Sequence, residues 1–190
     1  AGIEGLQSFD SPAVAEALRR RADHPVFGYT LPPGELAEAV VARLAGRHAW
    51  RVAPEALVWL PGLVTGINLC CRAVGSEGDA VVTAVPVYPP FLSAPAHSRR
   101  RLQTVPLRGG QENWALDPDR LAAALTPATR LFILCNPHNP TGRVYSRPEL
   151  ESLADICLQN GLVVCADEIH CDLILDDDKA VALCERHDRG

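Results

Sequence analysis

A three-layer α/β/α sandwich with a mostly parallel sheet is the fold class this sequence predicts, and one stretch carries most of the prediction. The runs RLFILC (130–135) and GLVVCA (161–166) are apolar and of strand length, and each ends abruptly in polar, turn-forming residues. Between them Ser146 to Asn160 shows helical spacing, which makes the whole a β-α-β unit. Ligands of parallel α/β sheets sit just beyond the carboxyl ends of the strands. Asn136, His138 and Asn139 stand at that edge after the first strand, and Asp167 and His170 after the second.

The remaining elements follow in order. Ser11-Pro12 before AVAEALRRRA reads as an N-cap with proline at the first helical position, and the helix ends by Pro25. The loop HPVFGYT follows; on its own it reads as a surface turn with a partly buried ring pair. Glu35 to Gly46 is helical by the spacing of Leu36, Val40, Val41 and Leu44, with Gly46 as its stop. LVWLPGLVTGINLCCRAV reads as a strand, a tight turn at Gly62 and a buried helix. A glycine turn at such a junction lets backbone N–H groups face an anion at a helix N-terminus, or simply packs strand against helix.

Asp79 to Val85 is the next strand, and the three prolines of PVYPPF fix the backbone around Tyr88. A ring held there is either a flat platform or a core tyrosine with its hydroxyl at solvent. Arg101 to Leu107 reads as an edge strand, Asp117-Pro118 caps DRLAAAL, and Ser146-Arg147-Pro148-Glu149 is a capping box. The resulting order is β–α–β–α–β–α–β–α–β after an N-terminal helical arm, one core for 190 residues. From Asp176 onward the pattern is lost, and a frayed or truncated tail is expected.

Composition narrows the function. A net charge of −5 with no basic cluster beyond Arg99–Arg101 argues against nucleic acid as a partner. No apolar run approaches membrane-span length and no leader precedes the first helix, so a cytoplasmic protein is expected. Seven cysteines, most within apolar segments, read as reduced buried thiols. A zinc site from Cys165, His170, Cys171 and Asp172 has suitable residue types, but alternate strand residues point to opposite faces and no second pair completes it, so no metal is expected. The chain opens Ala-Gly-Ile and contains no methionine, which reads as a piece of a longer polypeptide or a processed chain.

Asp167 follows the buried run LVVCA, so its carboxylate emerges at the rim of an apolar core, where a lone charge is costly. It needs a cationic partner. A protonated ring nitrogen on a flat cofactor would serve, since a buried carboxylate facing it keeps the proton on and makes the ring an electron sink. Asn139, at the neighbouring strand's tip, could donate to an oxygen of the same ring.

Five motifs in this order, HPVFGYT, PGLVTGI, PVYPPF, NPHNPTG and ADEIHCDL, resemble the aminotransferase-fold (fold type I) enzymes that use pyridoxal 5'-phosphate. Among them the chain is most similar to the cystathionine β-lyase-like C–S lyase branch. The resemblance implies an incomplete large domain of that fold: an arm with a dimer and cofactor loop at 1–34, a pyridoxal-phosphate-binding large domain at 35–175 and a tail at 176–190. It implies that Leu63 and Val64 hold the phosphate through main-chain N–H groups and that Tyr88 stacks on the ring. Asp167 would hold the ring nitrogen, Asn139 the ring oxygen, and His170 would tune that oxygen, unless it is simply a hydrogen-bonded rim histidine. Tyr29 would reach the cofactor of the second subunit of a homodimer.

The expected reaction is β-elimination on a sulfur amino acid of the cysteine, cystine or cystathionine type, giving a thiol or persulfide, pyruvate and ammonia. An aminotransferase, or a cofactor-binding and dimerisation domain without chemistry, shares the same motifs; a lyase domain within a larger biosynthetic assembly fits the missing methionine. The family's covalent-attachment lysine, in a Ser-x-Ser-Lys segment, and its distal carboxylate-binding arginine have no counterpart. Lys179 is the one lysine, against 17 arginines, and it is the candidate catalytic amine by default. Asp176, Asp177 and Asp178 precede it and would raise its pKa, which favours a surface role.

Overall fold

The computed structural model describes residues 11–110 and 113–174. Expectations about the tail at 176–190, Lys179 included, lie outside the described residues. The chain divides into two compact units, Ala1–Gly34 and Glu35–Gly190. In the first, helix α1 (Pro12–Ala22) is capped by Ser11, whose Oγ accepts from the Val14 N–H at 3.4 Å, with proline in the first turn. No residue of α1 is buried. Arg21 shapes the loop that follows: its guanidinium lies 5.0 Å from the Phe27 ring centroid and donates to the carbonyls of His24 and Val26.

The second unit begins with α2 (Gly34–His48), followed by a 3-10 turn at Pro54–Ala56, α3 (Leu63–Ala73) and β1 (Ala80–Val85). Then come α4 (Pro90–His97), β2 (Arg101–Pro106), α5 (Pro118–Ala124), β3 (Thr129–Cys135), α6 (Arg147–Gln159) and β4 (Val163–Asp167). The strands form one parallel sheet in the order β2-β1-β3-β4. β1 sends its chain outward to β2 on one side, and the later crossovers run the other way. Right-handed crossovers then place α4 on one face and α5 and α6 on the other.

The core divides accordingly. Val81, Leu131, Ile133 and Cys135 pack against Ile67, Cys71, Phe91 and Ala94 of α3 and α4. Val82, Ala84, Phe132 and Leu134 pack against Leu121, Leu150, Leu153 and Cys157 of α5 and α6. The period-2 alternation of strand side chains produces this division directly. Local caps set the helices: the Asp117 carboxylate accepts from Asp119 N–H and pairs with Arg108 at 2.8 Å, and Glu149 reaches back to Ser146 N and Oγ, each at 2.7 Å. Among the described residues no helix is long and apolar enough to cross a membrane.

Two element readings are corrected. Leu57–Leu60 joins no sheet among the described residues; Val58 and Trp59 are exposed, because an apolar extended run becomes a strand only beside a partner edge. α2 does not stop at Gly46 but runs to His48; the left-handed residue that ends it is Ala49, with φ +52°, and the Trp50 N–H turns back to Leu44 O. Packing on the sheet sets the energetic scale. Phe132→Ala, at a side chain 1% exposed, is expected to cost about 3–5 kcal/mol in urea unfolding, while Leu158→Ala on the outer face of α6 should stay within about 0.5 kcal/mol.

Candidate functional site

All four strands end on one edge, and the cavity of interest lies there at the switch between β1 and β3, where the strand order reverses. Register fixes which side chains meet. Asp167 pairs with Cys135 across β3 and β4, and Asp167 shares its strand face with Cys165, two residues earlier. Cys135 and Cys165 both pack with α3 and α4, so the Asp167 carboxylate faces the same side.

α3 aims its N-terminus at this point. Gly62 precedes it with φ +136°, a backbone conformation in which an L side chain would be strained even though nothing lies within 4 Å of an added Cβ. No side chain caps the helix, so the first-turn N–H groups of Leu63 and Val64 carry the positive end of the helix dipole toward the cavity. At the far end the Arg100 guanidinium donates to the carbonyls of Arg72, Val74 and Gly75, matching a cation to the negative end.

These elements enclose a cavity of about 320 Å³ lined by Leu63, Val64, Ile67, Tyr88, Cys135, Asn139, Asp167, Ile169 and His170. Six residues expected from the sequence, Leu63, Val64, Tyr88, Asn139, Asp167 and His170, therefore share one wall. Ile67, Cys135 and Ile169 were not foreseen; Ile67 in α3 and Cys135 in β3 look like any apolar core position, and Ile169 is a lone apolar residue in the turn after β4. Tyr29 is fully exposed in the first unit. A second cavity of about 390 Å³ adjoins the first, shares Asn139 and His170, and is otherwise lined by Pro137, His138, Pro140, Gly142, Val144, Leu173 and Ile174.

Asp167 is 5% exposed, and its Oδ1 accepts from the Ile169 N–H at 3.1 Å. Burial raises its pKa above the ordinary 3.8, while the Ile169 N–H and the nearby His170 pull the other way. The thiols beside it stay protonated: burial pushes Cys135 up to about 11 and Cys165 higher still. The segment after Asp167 is held by α2, whose Arg43 and Arg47 both pair with Asp172. The floor of the cavity is thus an acid held in an apolar wall, opposite a helix N-terminus.

A carboxyl group whose folded pKa is raised opposes folding once it ionises. Its contribution is favourable below the unfolded value of 3.8 and is lost as pH rises through the folded value. Asp167→Asn keeps the oxygen that accepts from Ile169 and removes the charge. The cofactor-free variant should be more stable than the parent at pH 7, and the gap should close as pH falls toward 3.8; thermal unfolding across pH measures both.

Comparison with known proteins follows the same outline. The family model described as aminotransferase class I and II matches residues 4–189. Cystathionine beta-lyase PatB of Bacillus subtilis (strain 168) is 42% identical over 164 residues, covering 86% of this chain and 42% of that protein. Protein MalY of Escherichia coli (strain K12) is 32% identical over 174 residues, 90% of this chain and 45% of that one. The crystal structure of the PLP-bound C-S lyase from Staphylococcus hominis superposes with a TM-score of 0.87 at 29% identity, over 92% of this chain and 45% of that chain. The chain spans less than half the length of these relatives, and across nearly all of its own length it belongs to the aminotransferase class I and II family.

Proposed function

We propose that this chain contributes the cofactor-binding part of a pyridoxal-phosphate-dependent C–S lyase acting on sulfur amino acids of the cysteine, cystine or cystathionine type. The observation that carries the proposal is the convergence on one 320 Å³ cavity of a buried carboxylate, an uncapped helix N-terminus, an aromatic ring and an amide side chain. Pyridoxal phosphate presents the complementary set: a basic ring nitrogen, a phosphate, a flat face and a ring oxygen. When bound, it supplies an electron sink for negative charge developing at the substrate α-carbon.

Each residue has a task in this reading. Asp167 holds the proton on the ring nitrogen; its carboxylate is costly to ionise in the cofactor-free cavity, and a cation at that atom removes the cost. Leu63 and Val64 N–H groups bind the phosphate through the dipole of α3. Asn139 orients the ring through its oxygen, His170 donates to or accepts from the same oxygen, and Tyr88 covers one face. Tyr29 serves the partner subunit of a homodimer, a closed two-fold assembly being the common case. Residues 1–34 form the arm, and 35–175 the cofactor-binding domain.

Relatives named as cystathionine β-lyases support elimination over transamination, which the family's description keeps as the second reading. The intact protein incubated with cystathionine is expected to release a thiol, pyruvate and ammonia; a keto acid formed with amination of the cofactor would select the transferase. Lys179 is not assigned the catalytic amine's role, because the three aspartates that precede it would hold its proton on. Borohydride reduction with pyridoxal phosphate, followed by peptide mass mapping, should find no pyridoxyl group there; an adduct at Lys179 would make it the catalytic amine.

A further inference from the structure

His138 stands at the carboxyl edge of β3, yet it is only 2% exposed and lines the neighbouring cavity rather than the one that holds Asp167. Its Nε2 lies 2.7 Å from the carbonyl oxygen of Pro86, 52 residues earlier in the chain. A carbonyl only accepts, so Nε2 carries the proton. The ring also hydrogen-bonds the Cys135 backbone, and its Nδ1 lies 3.5 Å from the Tyr145 hydroxyl, the two rings meeting edge-on with centroids 6.2 Å apart. Tyr145 is itself 1% exposed, and its N–H donates to Asn136 Oδ1 at 3.0 Å.

The backbone on both sides of this ring is pinned. His138 N donates to Arg143 O at 2.7 Å, and Gly142 N donates to His138 O at 2.8 Å, which closes the loop after β3 on itself. Asn139, the next residue, reaches the cofactor cavity, as does Tyr88, two residues after Pro86. The ring therefore joins the two loops whose adjacent residues, Tyr88 and Asn139, both line the cavity. His138 itself is not among the residues that line that cavity.

We infer that His138 is a positioning residue for the cofactor cavity: its Nε2–H···O bond to Pro86 sets the separation of Tyr88 and Asn139. The inference rests on the cofactor reading given above only for its consequence, since the bond itself can be tested without cofactor. A core histidine with no such role would stabilise the fold and leave Tyr88 where it is.

The test labels the three tyrosines with 3-fluorotyrosine, assigns each 19F resonance with a Tyr→Phe variant, and compares the parent with His138→Gln and His138→Leu. Pyridoxal phosphate affinity of the intact protein is measured by absorbance titration alongside. Gln places an amide N–H near the position of Nε2, whereas Leu removes the donor. His138→Leu is expected to move the Tyr88 resonance and to weaken cofactor binding about tenfold, the scale of one buried hydrogen bond; His138→Gln should restore both.

An unmoved Tyr88 resonance in folded His138→Leu, or a His138→Gln protein that behaves like it, overturns the inference. If His138→Leu does not fold, His138→Asn, whose amide is too short to reach Pro86, takes its place with the same expected shift and the same refutation. A parent protein that binds no pyridoxal phosphate would refute the proposed function, and the Tyr88 resonance would still decide the role of His138.

Discussion

The structure depends on one electrostatic constraint: a carboxylate buried at the end of a strand whose other residues are apolar. Parallel pairing of β4 with β3 puts Asp167 level with Cys135 on the face that α3 and α4 cover. Burial there disfavours its charge, and the neighbouring groups offer hydrogen bonding without full compensation. Such a residue is a liability to folding and an asset to binding, which is the usual relation between stability and function at a preorganised site. The remaining features of the edge are arranged around it. α3 points an uncapped N-terminus at the same space, and the loops after β1 and β3 carry an aromatic ring and an amide to its rim.

Topology makes this convergence economical. Because β1 leads outward to β2 while β3 and β4 are added on the other side, the loops after β1 and β3 diverge to opposite faces and leave a crevice between them. The crevice needs struts as well as walls. His138 joins its two sides through Pro86, Arg43 and Arg47 hold the segment after Asp167 through Asp172, and Arg100 closes the far end of α3. None of these contacts reaches the cavity floor, and each restrains an element that does.

What could be read from the sequence was what is locally encoded. β3, β4 and α6 announce themselves by their apolar runs, spacing and the Ser146–Glu149 cap, and Asp167 and Asn139 follow because polar residues just after an apolar run of strand length sit at the carboxyl edge. The run before Asp167, expected to be buried, is half-exposed in β4 at the end of the sheet, and only Asp167 itself is buried. Contacts between distant segments left no such trace. The hydrogen bond from His138 to Pro86 joins residues 52 apart, and nothing near either residue announces it. Leu57–Leu60 has strand composition but no partner edge among the described residues, and Cys135 looks like any apolar core position until register places it beside Asp167. Motif order conveyed the family: PGLVTGI, PVYPPF, NPHNPTG and ADEIHCDL each contribute residues to the lining of one cavity.

The proposed function requires buried Asp167 to keep a proton on a cofactor ring nitrogen. The 15N chemical shift of pyridoxal phosphate labelled at that nitrogen, bound to the intact protein near neutral pH, reports the proton directly. A protonated shift in the parent that reverts to the unprotonated range in Asp167→Ala is the result predicted. An unprotonated nitrogen in the parent, or a shift that Asp167→Ala leaves unchanged, would contradict the account.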